Sequence, residues 1–494
     1  MNSNLPRGGK HGPTARCVMV LGTTSGAGKS WLATALCRWF ARQGLRVAPF
    51  KAQNMSNNAR VVAGGEIGSA QYFQALAARA EPDARMNPLL LKPERDTHSQ
   101  VVLMGQVSPE LTALPWRGRS ERVWPQIAQA LDALRAENDV VVIEGAGSPA
   151  EINLMASDIV NLRVARHTGA RCLLVTDIDR GGAFAHLYGT WALMPEADRA
   201  LLAGFVLNKF RGDPALLAPA PQQLEALTGV PTVATLPMWW QHGLPEEDGV
   251  FDDRSVSAGE VACTVAVIAY PRISNLDEFQ PLKNIAGVRL RWARSPADAA
   301  GADWIVLPGS KHTSGDLAWL RSQGLDRAVA AHAARGGAVL GICGGLQMLG
   351  EALIDPHGVD GNGPGLGLLP VVTTFAQDKT VRHRDAAFGV LSGPWAPLTG
   401  VAMRGYEIHH GQTAEHPAMA AAGDRAVAVM ADGLAWQNRG GNVLGLYLHG
   451  LFEDPAVLRA LFGVAARTLD AVFDGLADHI DSNFEAGVLR SLIE

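Results

Sequence analysis

Cysteine is scarce in this chain, its charges nearly balance, and long apolar segments are missing. The 494 residues include five cysteines, widely spaced and odd in number, which excludes a disulfide framework and a clustered zinc site. A formal net charge of −5 gives no electrostatic basis for binding nucleic acid or an anionic membrane. No apolar run reaches transmembrane length, and residues 1–16 lack the apolar core of a secretory signal. These absences favour a protein of the reducing cytoplasm.

The composition is that of a folded protein with more than one domain. With 47% hydrophobic and 18% charged residues the chain can form sizeable cores, and its length exceeds that of one ordinary domain. Apolar periodicity disappears over residues 239–258, where acids, serine and glycine dominate. We therefore predict two α/β domains, residues 1–258 and 259–494. Each is expected to hold a largely parallel sheet flanked by helices, and the first to be doubly wound.

The first domain is organised around the stretch GTTSGAGKS (residues 22–30). A short apolar run before it predicts a strand, and apolar residues at helical spacing after it predict a helix. Such a turn presents backbone N–H groups and a helix N-terminus to phosphate, so Gly26, Gly28 and Lys29 are predicted to bind ATP. Ser30 is placed to hold Mg²⁺. The alternative, a flexible turn without a ligand, fits the flanking strand and helix poorly.

This loop departs from the usual phosphate-binding pattern at one position. Thr23 stands where the standard pattern has its first glycine, and Gly22 lies one residue earlier. The longer loop resembles that of dethiobiotin synthetase and its relatives, which phosphorylate carboxylates. The resemblance implies that ATP is used to activate a carboxylate.

Polar residues follow the next predicted strand, residues 46–50. Ligands of doubly wound sheets collect at the carboxyl ends of the strands. Lys51, Gln53 and Asn54 are therefore candidate contacts for a polyanionic or amide-rich substrate. A polar surface loop is an equally good interpretation of this stretch alone.

Two later strands end in further candidates. Asp177 and Asp179 follow a predicted strand at residues 171–176 and are candidate substrate contacts, with a capped helix as the alternative. Asn208 lies near the end of a predicted strand at residues 204–209, where its amide could hydrogen-bond the adenine edge of ATP.

A buried strand that ends in an acid gives the sharper signal for a metal. Residues 139–143 are mostly β-branched and lead into Glu144 and two glycines. A carboxylate at that strand end could complete the Mg²⁺ shell together with Ser30, because hard cations prefer oxygen ligands. This interpretation is favoured over a core strand with an incidental acid.

Between these strands the pattern predicts a helix over residues 66–77 and a proline-bounded loop over residues 86–93. Gln71 and Gln74 on that helix are expected to be solvated, and their spacing assigns them no function.

The decisive feature of the second domain is the stretch GICGG (residues 341–345), between a predicted strand and a predicted helix. Its glycines permit the strained turn of a nucleophile elbow, and the helix N-terminus favours a thiolate at Cys343. The backbone N–H groups of Gly344 and of the Gly309 loop could stabilise an oxyanion. A lone cysteine is usually a small buried apolar residue, but this setting favours a nucleophile.

A cysteine nucleophile needs a base. His449 follows an apolar run about a hundred residues later and is a suitable general base. His409 and His410 compete for that role, and the sequence by itself favours His449 only modestly.

Four runs of the first domain closely resemble the cobyric acid synthase family: PFKAQNMSNN (residues 49–58), EGAGSPAEINL (residues 144–154), TDIDRGGAFA (residues 176–185) and LNKFRGD (residues 207–213). In the second domain Cys343 and His449 match the motifs of class I glutamine amidotransferases. Many members of that class carry glutamate two residues after the histidine, where this chain has Leu451. Glu453 is nearby, and the third member of the site stays open.

The resemblance implies a glutamine-hydrolysing amide ligase that uses ATP, Mg²⁺ and glutamine on a corrinoid substrate. It implies amidation of the b, d, e and g carboxylates of adenosylcobyrinic acid a,c-diamide, which yields cobyric acid for cobalamin. Lys51 and Glu144 fall where the wider group has a lysine near the phosphates and a metal-associated acid. A homodimer is left open.

Two rival interpretations remain at this stage. The related a,c-diamide synthase shares both domains, but the EGAGSPAEINL loop favours the later enzyme. A nucleotide-switch protein with an inactive amidotransferase-like domain is disfavoured, because Cys343 and His449 stand in their expected settings.

Overall fold

The first domain is built on a six-stranded parallel sheet. The computed structural model describes residues 14–95, 97–240, 242–245, 260–463 and 467–494. The strands of this domain are β1 (Arg16–Gly22), β2 (Val47–Phe50), β3 (Gln53–Met55), β4 (Ala59–Val62), β5 (Gly65–Gly68), β6 (Leu89–Arg95), β7 (His98–Leu103), β8 (Gln106–Val107), β9 (Val140–Glu144), β10 (Arg171–Asp177), β11 (Leu202–Phe210) and β12 (Thr232–Pro237). The main sheet has the order β12-β11-β10-β1-β9-β2, which confirms the predicted doubly wound fold.

Helices cover both faces of that sheet and bury its apolar strands. They are α1 (Lys29–Arg42), α2 (Ser69–Ala77), α3 (Pro109–Ala113), α4 (Trp116–Glu137), α5 (Leu162–Thr168), α6 (Ala183–Leu193), α7 (Glu196–Arg199) and α8 (Ala220–Thr228). Because the strands are parallel, their carboxyl ends meet at one edge. The register there pairs Val20 of β1 with Glu144 of β9, and Asp177 of β10 with Asn208 of β11.

Two predictions for the segment after β2 are wrong. Glu66 does not begin a helix: residues 65–68 form β5, which pairs antiparallel with β4, and α2 begins only at Ser69. The predicted loop at residues 86–93 largely forms β6 of a second small sheet, ordered β3-β6-β7-β8. Tertiary pairing overrides the local preference in both places.

The second domain contains a seven-stranded sheet of order β15-β13-β16-β18-β25-β24-β23, in which the last two pairings are antiparallel. Its strands are β13 (Cys263–Ile268), β14 (Ile273–Ser274), β15 (Val288–Ala293), β16 (Trp304–Leu307), β17 (Gly309–Ser310), β18 (Ala338–Ile342), β19 (Ala352–Ile354), β20 (Gly363–Pro364), β21 (Val371–Ala387), β22 (Ala402–Glu415), β23 (Val427–Ala428), β24 (Ala435–Gln437) and β25 (Val443–Leu446). The long strands β21 and β22 form an antiparallel pair in a separate sheet. The α/β prediction for this domain is confirmed.

The remaining helices are α9 (Gln280–Lys283), α10 (Pro296–Ala299), α11 (Thr313–Ser322), α12 (Leu325–Ala334), α13 (Gly344–Leu349), α14 (Pro417–Ala421), α15 (Pro455–Phe462), α16 (Leu469–Asn483) and α17 (Val488–Ser491). The boundary predicted near residue 258 lies outside the described residues. In the described part of the chain, no helix combines the length and apolar character needed to cross a bilayer.

Helix α16, predicted as part of the second domain, packs against α1 of the first. Val472, Phe473, Leu476 and Ile480 join the apolar core formed by α1 and one face of the first sheet. The buried guanidinium of Arg38 binds carboxylates of that helix. The amphipathic pattern of α16 predicts a helix, but it does not specify which domain its apolar face covers.

This packing predicts that Phe473→Ala destabilises the nucleotide domain by about 3–5 kcal/mol, because it empties a fully buried aromatic site. Urea unfolding followed by tryptophan fluorescence measures the change. Asp478→Ala on the exposed face of the same helix is the control and should stay within about 0.5 kcal/mol of the parent. Equal stability of the two variants would show that α16 does not belong to this core.

Candidate active sites

The stretch GTTSGAGKS forms the predicted cradle between β1 and α1. Gly26 and Gly28 have positive φ angles of 72° and 104°, which glycine adopts without strain. Lys29 begins α1, and its Nζ donates to the carbonyl oxygens of Thr24 at 3.0 Å and Gly147 at 3.1 Å. The loop therefore curls around the lysine ammonium, an arrangement suited to phosphate.

Asn208 supports this loop from β11. Its Nδ2 donates to the carbonyl oxygen of Ala27 at 2.9 Å. A Cβ added to Gly28 would lie 2.0 Å from the same Nδ2, so this contact requires glycine. Lys209 donates from Nζ to the carbonyl oxygen of Gly26 at 2.8 Å. The structure gives Asn208 a loop-holding role, and its predicted adenine contact stays a prediction.

Glu144 ends β9 as the predicted acid and is almost fully buried. Its Oε1 accepts from Ser30 Oγ and from Lys51 Nζ, both at 2.8 Å, and its Oε2 accepts from Gln74 Nε2 at 2.6 Å. Burial raises the pKa of this carboxyl, but the charge of Lys51 and the hydrogen bonds to Gln74 and Ser30 outweigh burial and leave the pKa below its ordinary value. The group is therefore an anion at neutral pH.

The donor set at this carboxylate fits Mg²⁺. Ser30 Oγ and Glu144 Oε1 place two hard oxygen donors 2.8 Å apart beside the phosphate cradle. Ser30 and Glu144 are the residues that would hold the ion, and metal binding by them stays a prediction.

The expectation that Gln71 and Gln74 are solvated is wrong. Both side chains are fully buried, and both donate to Glu144 Oε2, Gln71 at the longer distance of 3.4 Å. Their i, i+3 spacing puts them on one face of α2, which is the available sequence signal for a shared partner. Asn54 is also buried and donates to Gln71 Oε1 at 3.5 Å.

A cavity of about 380 Å³ lies in front of the cradle. It is lined by the predicted residues Gly26, Gly28, Lys29, Ser30, Asp177, Asp179 and Asn208 and by the unpredicted indoles Trp31, Trp239 and Trp240. Asp177 accepts from Lys209 Nζ at 3.1 Å, and Asp179 pairs with Arg211. Gln53 instead lies on β3 opposite Leu89 of β6. Substrate contact by Gln53, Asn54, Asp177 and Asp179 stays a prediction.

Cys343 occupies the strained turn between β18 and α13. Its φ of 51° and ψ of −104° lie outside the regions that L residues ordinarily adopt. A Cβ added to Gly345 would lie 1.9 Å from the carbonyl oxygen of Leu307, and one added to Gly341 would lie 2.7 Å from Gly345. Both glycines are therefore required for the elbow that presents the thiol.

His449 lies beside this thiol, and Glu278 orients it. The imidazole lines the same cavity as Cys343, whose Sγ donates to the carbonyl oxygen of Ile408 at 3.7 Å, and its Nδ1 lies 3.2 Å from Glu278 Oε1. The other carboxylate oxygen of Glu278 accepts from Gly450 N at 3.1 Å. Burial lowers the pKa of His449, but the charge of Glu278 and the neighbouring Cys343 side chain outweigh it and raise the pKa to about 10.

The competing residues have other partners. His409 binds Glu407 through Nε2 at 3.0 Å and the carbonyl oxygen of Gly411 through Nδ1 at 2.8 Å. His410 binds the carbonyl oxygen of Ala376, and burial lowers its pKa to about 4. Glu453 pairs with Arg60. Of the candidate residues, His449 is therefore the one that lies beside Cys343, with Glu278 next to it, and the catalytic roles of Cys343 and His449 stay a prediction.

Gly309 and Gly344, the predicted oxyanion residues, lie beside Cys343 and His449. A Cβ added to Gly309 would lie 2.8 Å from His449 Cε1, and one added to Gly344 would lie 2.8 Å from Ser310 N. The two backbone segments therefore meet beside Cys343, and their role as oxyanion donors stays a prediction.

Both domains line the small cavity of about 70 Å³ at Cys343. The first domain contributes Asn57, Lys92, Glu94 and Gln100, and the second contributes residues that include Lys311, Gln347 and Lys379. Glu94 and Lys311 form an ion pair of 2.6 Å across the boundary. The sequence gives no signal for this shared pocket.

Models of known families match both halves of the chain. Residues 18–244 match the model of the CobQ/CobB/MinD/ParA nucleotide binding domain, and residues 264–457 match the CobB/CobQ-like glutamine amidotransferase domain. A relative named cobyric acid synthase, from Variovorax paradoxus (strain S110), is 84% identical over 480 residues, which are 97% of this chain and 100% of that protein. The chain belongs to the cobyric acid synthase family.

A second cobyric acid synthase, from Polaromonas sp. (strain JS666), is 75% identical over 502 residues, covering 98% of this chain and 99% of its own. Among solved structures, one described as a glutamine amidotransferase is 19% identical with a TM-score of 0.31 and covers 43% of this chain and 98% of its own. As a member of the cobyric acid synthase family the chain is a glutamine-hydrolysing amide ligase.

The pairing of Cys343 with His449 predicts selective alkylation. Near neutral pH, iodoacetamide should modify Cys343 first, because burial raises the pKa of other thiols, to about 11 at Cys17 and Cys263. Peptide mass spectrometry measures the labelling rate at each cysteine. His449→Gln should slow labelling of Cys343 roughly tenfold. Equal labelling of Cys343 and Cys263 would contradict the prediction that Cys343 is the nucleophile.

Proposed function

We propose that this chain amidates the b, d, e and g carboxylates of adenosylcobyrinic acid a,c-diamide, with glutamine as the ammonia donor and ATP as the activating nucleotide. The observation that carries the proposal is the coexistence of the Cys343–His449–Glu278 site and the Lys29–Glu144 site in one chain. The corrinoid substrate is supported by the family, whose relatives of 75% and 84% identity are named cobyric acid synthase.

The first half-reaction releases ammonia from glutamine. The Cys343 thiolate attacks the side-chain amide carbon, and the backbone N–H groups of Gly309 and Gly344 stabilise the oxyanion. The His449 imidazolium protonates the departing ammonia, which leaves a thioester on Cys343. Neutral His449 then takes a proton from water as it attacks the thioester, and glutamate leaves. Glu278 holds the imidazole in position throughout.

The second half-reaction activates the substrate carboxylate. The carboxylate attacks the γ-phosphate of ATP, the bond from the γ-phosphorus to the bridging oxygen breaks, and ADP leaves as the acyl phosphate forms, with Lys29 and the loop N–H groups holding the phosphates. Mg²⁺, held by Ser30 and Glu144, would neutralise phosphate charge. Lys51 and Gln74 keep Glu144 ionised and oriented. Ammonia attacks the acyl carbon, and phosphate leaves as the amide forms.

The two rival functions have less support. The high identity to cobyric acid synthases over the whole chain favours the later amidations over those of the a,c-diamide synthase. A nucleotide-switch protein would not require a cysteine in a strained turn beside a buried histidine–glutamate pair.

The assignment of the two half-reactions to separate sites predicts how Cys343→Ala behaves. With ATP, Mg²⁺, glutamine and the a,c-diamide, this variant should lose amidation by roughly a thousandfold. With ammonium chloride it should still produce the fourfold amide. Mass spectrometry of the corrinoid products measures both reactions.

The wild-type protein is the control and should give a stepwise series that ends at four added amides. An unchanged corrinoid would contradict the proposed substrate. Failure of ammonia to rescue Cys343→Ala would contradict the separation of the two half-reactions.

The pKa of His449 predicts the alkaline limit of glutamine hydrolysis. The imidazolium that protonates ammonia persists below its pKa and is lost as the pH rises through about 10. In Glu278→Gln the stabilising charge is absent, so this pKa falls and the alkaline limb should move down by roughly one pH unit or more. A pH profile of glutamate release measures the limb. An unmoved limb would show that Glu278 does not set the charge of His449.

A further inference from the structure

Glu278 lies on a short 3₁₀ turn of the second domain, Leu276–Phe279, that contacts the first domain. This turn follows Asn275, whose φ of 55° is left-handed. An unsupported turn of four residues with such an entry would hold a carboxylate loosely. The position of Glu278 therefore depends on what holds the turn.

The first domain holds it with paired amide contacts. Asn275 Nδ2 donates to the carbonyl oxygen of Ala59 at 3.1 Å, and Asn275 Oδ1 accepts from Ala59 N at 3.4 Å. The next backbone group, Leu276 N, donates to Asn58 Oδ1 at 3.0 Å. The side chain of Asn275 thus pairs with a β4 residue much as another strand would, and Asn58 binds the first residue of the turn.

A cluster of ion pairs also connects this turn to the first domain. The guanidinium of Arg60 binds Asp277 on the turn and both carboxylate oxygens of Glu453, at 2.7 and 2.6 Å. The side chain of Arg60 is 3% exposed and that of Asp277 is 1% exposed. The same guanidinium lies 5.2 Å from the ring of Tyr406, which stacks on the imidazole of His449. Arg60 therefore contacts Asp277, the neighbour of Glu278, and Tyr406, the neighbour of His449.

The hairpin that carries these contacts is itself anchored. Strands β4 and β5 lie between Lys51 and Gln74, and both of those side chains bind Glu144. Lys92 of β6 also binds Glu66 of β5 at 2.9 Å, in a fully buried ion pair. The hairpin is therefore a rigid support, fixed to the first domain at both ends.

We propose that Asn58 and Arg60 of the nucleotide domain are positioning residues for glutamine hydrolysis and act through Glu278 across the domain boundary. The proposal rests on the glutaminase function proposed for Cys343 and goes beyond it. The glutaminase site is incomplete without the β4–β5 hairpin, since the turn that orients His449 is held from there.

Asn58→Ala and Arg60→Lys test this in the full-length protein. Arg60→Lys keeps the charge between Asp277 and Glu453 but loses the forked geometry of the guanidinium. Each variant should lower kcat for glutamine hydrolysis about tenfold or more and change KM for glutamine less than about threefold. The alkaline limb should move below that of wild type, in the same direction as in Glu278→Gln. Amidation with ammonium chloride should stay within about twofold of wild type.

Matched controls come from exposed or remote positions of the same domain. Arg163→Lys changes an arginine that pairs with the exposed Glu121, and Asn138→Ala changes an asparagine that binds the carbonyl oxygen of Leu134. Both should keep the wild-type kcat and pH profile.

A double variant distinguishes positioning from general damage. If Asn58 acts through Glu278, then Asn58→Ala should lower kcat by less than about twofold when Glu278 is already glutamine. Additive losses, an unmoved alkaline limb, or loss of ammonia-supported amidation would each overturn the proposal. If the wild type released no glutamate at all, the proposed glutaminase function itself would fail, a result separate from these.

Discussion

The buried carboxylate of Glu144 is the interaction on which the nucleotide domain depends. An ionised carboxylate inside a protein is costly unless charged and hydrogen-bonding partners surround it. Here Lys51 directly after β2, Ser30 of α1 and Gln74 of α2 converge on it. Their convergence fixes the phosphate loop, the end of β2 and helix α2 relative to one another. Glu144 thus also joins the cradle to the β4–β5 hairpin.

Buried charges recur where the domains meet. Arg60 binds Asp277 and Glu453, and Lys379 of β21 binds Glu66 of β5. Such pairs add little net stability, because desolvation offsets their attraction, but a displaced partner would leave an uncompensated charge. They therefore restrict how the second domain can sit on the first. That restriction brings residues of the first domain into the pocket of Cys343 and holds the turn that carries Glu278.

The parts of each site that the sequence predicted are those whose geometry is local. Gly26, Gly28, Lys29 and Ser30 form their loop within a few residues, and glycine permits the backbone that the loop needs. The elbow at Cys343 is also formed within a few residues, and its glycines likewise permit the backbone that the turn needs. Predictions were wrong where a partner came from elsewhere: Gln71 and Gln74 have an ordinary helical pattern, and only the position of β9 shows that they bind Glu144.

The sequence by itself determined the α/β class and the family and predicted the two reactive centres, because each depends on a strand, a glycine turn and a helix that are adjacent in the chain. Only the tertiary structure decided which histidine pairs with Cys343, which acid orients it and which domain α16 completes. Glu278 and His449 are 171 residues apart in the chain, and Arg38 and Asp474 are 436 apart. No local sequence pattern predicts such a contact, since the contact depends on how elements that are distant in the chain pack together.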